Sequence, residues 1–95
     1  MSADPIRLQP VAATVRVEPD GSYRPLSFTW PDGREYRVYA LREPRPTVDP
    51  VTGRRGLVWD VSVAVGDRRY DRRMYRFGGV WSLPVPVERE WLDGE

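Results

Sequence analysis

The sequence predicts an all-β domain: a small antiparallel meander of about six strands closing into a bent SH3-like or OB-like barrel. Three observations carry that expectation. Apolar and polar residues alternate with period 2 along most of the chain, and no helical period persists beyond one turn. The strand-like runs are bounded by strong turn sequences: Pro19-Asp20-Gly21, Pro31-Asp32-Gly33, Gly66-Asp67 and Gly78-Gly79. The 95 residues, 40% hydrophobic and 31% charged, suit a single globular domain rather than a disordered or fibrous chain.

In chain order the expected strands are residues 11–18, 24–30, 35–41, 57–65, 69–77 and 80–85. The two Pro-Asp-Gly turns repeat twelve residues apart, and shared hairpin chemistry explains the repeat. Proline presets φ, aspartate bonds the turn backbone, and glycine takes the left-handed position. Alternation assigns the faces. Leu26, Phe28 and Trp30 line up with Tyr36, Val38 and Ala40, leaving Ser27, Thr29, Glu35, Arg37 and Tyr39 on the other side. Farther on, Trp59, Val61, Val63 and Val65 share a face with Tyr70, Arg72 and Met74. The Gly78-Gly79 turn adds Trp81, Leu83 and Val85 to it.

Three segments fall outside this meander. Residues 42–56 hold three Pro and two Gly, which predicts a long loop, and Arg45 within it is expected to make no stabilising contact. The acidic tail, residues 87–95, has the spacing for one helical turn that brings Val87 and Trp91 to one side. Residues 1–10 are expected to be a loose arm, with the barrel over 11–86.

The missing residue types exclude much chemistry. Cys and His are both 0, so there is no disulfide, no thiolate or imidazole metal site, and no triad built on either residue. Lysine is absent too, which removes Schiff-base chemistry and makes all 15 basic residues Arg. No apolar run reaches signal-peptide or membrane length, so a soluble, cytoplasmic protein is expected, with no membrane partner. Asp32 and Glu35 sit at a hairpin tip in solvent, and Ser62 and Ser82 have no base beside them. Gly53-Arg54-Arg55-Gly56 lacks the helix that a phosphate loop needs. The expectation is a protein that is not an enzyme, takes no cofactor and has no small-molecule substrate.

Binding remains. The net charge is only +1, and the absence of Lys and Asn suggests a G/C-biased codon supply that replaces Lys by Arg. Charge is nonetheless segregated: residues 66–77 carry five Arg and two Asp, 42–56 four Arg and two acids, and 88–95 one Arg and four acids. Arg69, Arg72, Arg73 and Arg76 with Tyr75, beside the loop pair Arg54 and Arg55, are candidates for gripping nucleic acid. In that arrangement rings stack on bases and guanidiniums meet phosphates. The competing role is structural. Asp60 is expected across from Arg73 and Asp71 across from Ser62, Arg72 is expected to snorkel from an open barrel end or else to pair with Asp60, Glu35 or the acidic tail, and Arg76 to stack on Trp81. Tyr39, Leu41, Phe77 and Val80 form a candidate outer apolar face for a protein partner or a homodimer, with Trp91 of the tail as contributor or cover.

The pattern Phe28-x-Trp30-x-x-Gly33-Arg34-x-Tyr36-x-Val38, then Trp59-x-Val61, a strand containing Tyr75, and Gly78-Gly79-Val80-Trp81-x-Leu83 resembles a short uncharacterised bacterial β-domain family. Its members occur alone or appended near the C-terminus of catalytically degenerate Y-family polymerase-like proteins of bacterial mutagenesis systems. The likeness covers residues 26–85. It departs from the pattern in the Pro-rich 42–56 segment and the Arg-rich 69–77 strand. The resemblance implies a small barrel and an association with DNA transactions, and it brings no catalytic residues. Together these readings lead to a non-enzymatic accessory barrel that binds nucleic acid through the Arg and aromatic strand. The alternative is a protein-interaction or homo-oligomerisation module using an apolar outer face or a sheet edge.

Overall fold

A computed structural model describes residues 6–86, and it is all β. The strands are β1 (Ile6–Val17), β2 (Tyr23–Thr29), β3 (Glu35–Leu41), β4 (Arg45–Val48), β5 (Arg55–Val65), β6 (Arg68–Phe77) and β7 (Val80–Pro86). All pairings are antiparallel, in the order β3-β2-β1-β7-β6-β5-β4, and a further β3–β5 pairing closes six strands into a barrel with β4 as the extra one. Among the described residues there is no helix, and so none long and apolar enough to cross a membrane. The helical turn expected near Val87 and Trp91 lies outside the described residues.

Long strands that change partners produce the closure. The first half of β1 pairs with β7, from Ile6↔Pro86 to Val11↔Trp81, and the second half with β2, from Ala12↔Thr29 to Val17↔Tyr23. Residues 6–10, expected as part of a loose arm, are therefore sheet. Pro10 sits in the half that faces β7, short of the stretch where β1 meets β2. β5 is shared in the same manner. Its outer edge pairs with β3 over 61–64 and with β4 over 55–58, so β3 and β4 form one interrupted strand broken at Glu43-Pro44. The long loop expected over 42–56 is thus a strand plus a turn. Asp49 closes the turn by accepting from the Val51 N–H at 2.9 Å, and Gly53 takes a φ of 76°.

Two register shifts overturn parts of the face assignment. Thr14 pairs with Ser27 while Val15 pairs with Pro25, so Leu26 is an extra residue in β2. Likewise Val38 pairs with Val63 while Ala40 pairs with Ser62, so Tyr39 is the extra residue in β3. Beyond a bulge the alternation flips. Leu26, expected inside, is 40% exposed, and Ala40, expected inside, is also exposed. Leu41, expected on the outer apolar face, turns inward and packs on the core.

Most of the remaining inward set forms the core, whereas Arg72, expected in the same row, is exposed. Phe28, Trp59, Val61, Val63, Met74, Trp81 and Leu83 form one buried cluster, with Val11, Val15, Trp30, Tyr36, Val38 and Tyr70 packed around it. Trp59 meets Trp81 with ring centroids 4.9 Å apart, and Phe28 stacks on Tyr36 at the same spacing. Each buried indole removes about 150–250 Å² from water, worth roughly 4–6 kcal/mol before entropy is counted. The two tight hairpins hold the register: Gly66-Asp67 joins Val65↔Arg68, and Gly78-Gly79, with φ of 57° and 87°, joins Phe77↔Val80.

Candidate binding edge

Turn geometry dictates which way each backbone group of β6 points. In a two-residue hairpin the flanking residues exchange hydrogen bonds, and the bonded side alternates along the strand. Counting from Val65↔Arg68, the main chain of Tyr70, Arg72 and Met74 faces β5, whereas that of Arg69, Asp71 and Arg73 faces the other way. Counting back from Phe77↔Val80 gives the same phase, with Phe77 and Tyr75 bonded toward β7.

The β6–β7 ladder stops at Tyr75↔Ser82. The next residue of β7 in bonding phase is Pro84, which has no N–H to offer the Arg73 carbonyl, and the one after that is Pro86. Proline at alternate positions lets β7 keep its bonds to β1 through Leu83 and Val85 while releasing β6. Among the described residues, the β6 edge from Arg69 to Arg73 therefore has no ladder partner.

The side chains around this edge are charged. Beside it lies an open groove of about 840 Å³, lined by Leu41 and Val61, by Arg42, Arg72 and Arg73, by Asp60 and Asp71, and by Pro84. Asp60 accepts from Arg45 Nη1 and stands 3.7 Å from Arg73 Nε. The hydrogen bond from Arg45, with the added charges of Arg73 and Arg42, holds its carboxyl below the ordinary carboxylate value. Arg45 thus pins β4 to β5, contrary to the expectation that it makes no contact. Asp71 is engaged too, accepting from Ser62 Oγ at 2.9 Å. Both cross-strand pairs, Asp60↔Arg73 and Ser62↔Asp71, are those expected from the sequence.

A carboxyl whose folded pKa is depressed stabilises the fold above its unfolded pKa, and that stabilisation is lost as pH falls through the folded value. For Asp60 the window lies below about pH 4. Asp60→Asn is expected to lose less stability than the parent between neutral pH and pH 3. Urea midpoints taken across that range check it, and equal losses would show that the Arg45, Arg73 and Asp60 cluster contributes nothing.

Arg72 shares its strand face with the half-buried Tyr70 and the buried Met74 but is itself exposed. Its guanidinium carbon lies 4.7 Å from the Tyr70 ring centroid, and Nη1 donates to the Asp71 carbonyl at 2.8 Å. That carbonyl belongs to the open edge, so Arg72 folds back over an acceptor that no strand among the described residues uses.

The seven candidate nucleic-acid residues do not form one strip. Arg69 and Arg73 are on the outer face, and Arg69 lies over the ring of Tyr39 at 5.3 Å. Arg76 points inward and is half-buried, with its guanidinium 4.3 Å above the Tyr23 ring; Tyr23, not the expected Trp81, is its aromatic partner. Tyr75 is half-buried, stacked on Phe77 with centroids 5.8 Å apart. Arg54 reaches back against Gly78, and Arg55 pairs with Val48 at the start of β5. Arg69 pairs with Ala64, nine residues along β5 from Arg55, which is roughly 30 Å at strand rise.

The candidate apolar face does not assemble either. Tyr39 and Val80 are 56% and 50% exposed, Leu41 is in the core, and Phe77 is buried over Gly56. Trp91 lies outside the described residues. Sequence reasoning missed the parts that frame the edge: Arg42, Arg45 and the proline alternation of Ser82-Leu83-Pro84-Val85-Pro86. The proline pattern was the available signal, since proline inside a strand marks an edge that cannot donate. Comparison with protein-family models, with curated proteins and with solved structures finds no match.

Proposed function

We propose that the barrel is a non-enzymatic binding module that takes an extended polypeptide segment as an added strand along β6. The observation that carries this is the ladder that stops at Ser82 because Pro84 cannot donate, leaving alternate main-chain groups of Arg69–Arg73 to a guest. Strand addition draws affinity from main-chain hydrogen bonds and selectivity from alternate side chains. The consecutive pairing of strands fits an SH3-like meander better than the Greek key of an OB-fold. In this proposal the chain belongs with the bacterial β-domain family that its residues 26–85 resemble.

The test is anisotropy of a labelled, uncharged Thr/Val octapeptide titrated with the protein, beside the same peptide N-methylated at alternate residues. Saturable binding of the first and none of the second is expected. Equal behaviour of the two, or no binding of either, would refute strand addition.

A second reading, nucleic-acid binding, is favoured by the exposed Arg69–Tyr39 stack, beside the exposed Arg72 on the half-buried Tyr70, which resembles the cation-and-ring platforms that hold single strands. It is the weaker reading because the cations are split between two faces and several are engaged. It requires affinity that falls with salt by a slope of about 0.7 per phosphate contact. Affinity for a labelled oligonucleotide that is independent of salt, or undiminished in the Arg69→Glu, Arg73→Glu double variant, would eliminate it.

A further inference from the structure

The charge pattern along the open edge specifies its guest, and we infer that the guest strand is acidic, with its carboxylates at defined positions. The inference rests on the strand addition proposed above and names its partner chemistry. On the outer face the edge presents Arg69, Asp71 and Arg73; on the rim face it presents Tyr70 and Arg72. Arg42 adds a further cation to the groove beside it.

The acids present are already engaged: Asp71 accepts from Ser62, and Asp60 is held by Arg45 and Arg73. The cations have capacity left. Among the described residues, Arg69 and Arg72 contact rings and a main-chain carbonyl, which leaves most of their N–H donors for a carboxylate. Arg72 is the most telling of them. Its guanidinium covers the Asp71 carbonyl, and an incoming main-chain N–H would replace it there, releasing the cation beside the guest.

Directly opposed side chains dominate pairing across a ladder. An antiparallel guest therefore places one residue opposite each of Arg73, Arg72, Asp71, Tyr70 and Arg69 in that order. Carboxylates belong opposite the three arginines, an uncharged residue opposite Asp71, and a β-branched residue opposite the Tyr70 ring. The guest core reads Glu-Glu-Thr-Val-Glu. A basic guest meets three like charges, and a nucleic acid meets the same cations but supplies no regular row of donors and acceptors for the strand edge.

The probes are labelled Thr-flanked peptides carrying Glu-Glu-Thr-Val-Glu, its Gln analogue Gln-Gln-Thr-Val-Gln, and its Lys analogue Lys-Lys-Thr-Val-Lys, with an eight-nucleotide dT strand as the fourth. At low salt the acidic peptide is expected to bind roughly tenfold or more tighter than the Gln analogue, with the Lys analogue undetectable. The margin is expected to narrow as salt rises. Arg69→Glu and Arg72→Glu, both at exposed positions, are each expected to reduce or reverse the margin while leaving the melting temperature near that of the parent. Equal binding of the acidic and Gln peptides keeps strand addition and overturns this inference. Binding by none of the three peptides overturns both. Binding of dT alone overturns both in favour of nucleic acid.

Discussion

Replacing Trp59 by Ala is expected to cost about 3–5 kcal/mol, the largest single-residue loss in the chain. Trp59 is 1% exposed, pairs across the ladder with the fully buried Met74, and packs on Trp81 at 4.9 Å. It stands where β5 changes partners between β3 and β4, so the cavity opens at the junction that holds the extra strand to the barrel. A domain of this size has roughly 5–14 kcal/mol in total, so the variant is expected to be near the limit of folding. Its melting temperature is expected to fall by on the order of 20 °C. Val51→Ala, at a turn position 88% exposed, is the control and is expected to change nothing measurable. A Trp59→Ala midpoint equal to that of Val51→Ala would place the indole outside the core.

Gly56→Ala is expected to cost about 2–4 kcal/mol, for a different reason. A Cβ at Gly56 would stand far inside contact distance of the Arg76 carbonyl and of the Phe77 ring. Glycine is required here by space, not by backbone conformation, since its φ is not positive. Phe77 is buried only because Gly56 lets its ring lie on the outer face of the sheet, and the Tyr75 stack follows from it. The two sites are therefore expected to couple: in a Phe77→Ala background the added methyl costs less than in the parent. Strict additivity in that double-mutant cycle would contradict the packing described. Gly53→Ala offers the contrast, since that site has room but a φ of 76°, and its strain is about 1 kcal/mol.

The parts of the fold legible from sequence are those set by local chemistry. Gly66-Asp67 and Gly78-Gly79 impose two-residue turns, and a two-residue turn leaves one register, so the inward rows of β5, β6 and β7 and the Asp60↔Arg73 pair could be read directly. What could not be read is where the alternation slips. Nothing in Pro25-Leu26-Ser27 or Val38-Tyr39-Ala40 announces an extra residue, because a bulge is a response to barrel curvature that only the closed sheet imposes. Leu26, Ala40 and Leu41 were misplaced for that one reason. The loop expected over 42–56 failed differently. Its prolines read as breakers, yet Pro46 lies in a strand paired on one side only, where a missing N–H costs nothing.

The candidate site divides along the same line. Individual neighbours of the arginines follow from strand register, but whether they gather into one surface depends on which face each occupies and on which edge is covered. Arg72 is exposed even though its strand face carries the buried Met74. Arg76 meets Tyr23 of β2, a contact between residues 53 positions apart that no local pattern encodes. The open edge itself was written in the sequence as Pro84 and Pro86, visible once the bonding phase of β7 is counted from its turn.

Residue-resolved amide hydrogen exchange along β6 tests that edge most directly. The amides of Tyr70, Arg72 and Met74, bonded to β5, are expected to be protected, and those of Arg69 and Asp71 to exchange at nearly the rate of an unstructured chain. Adding the acidic peptide is expected to slow Arg69 and Asp71 selectively. Uniform protection across all five amides in the free protein would mean that the edge is already covered, and strand addition at β6 would be contradicted.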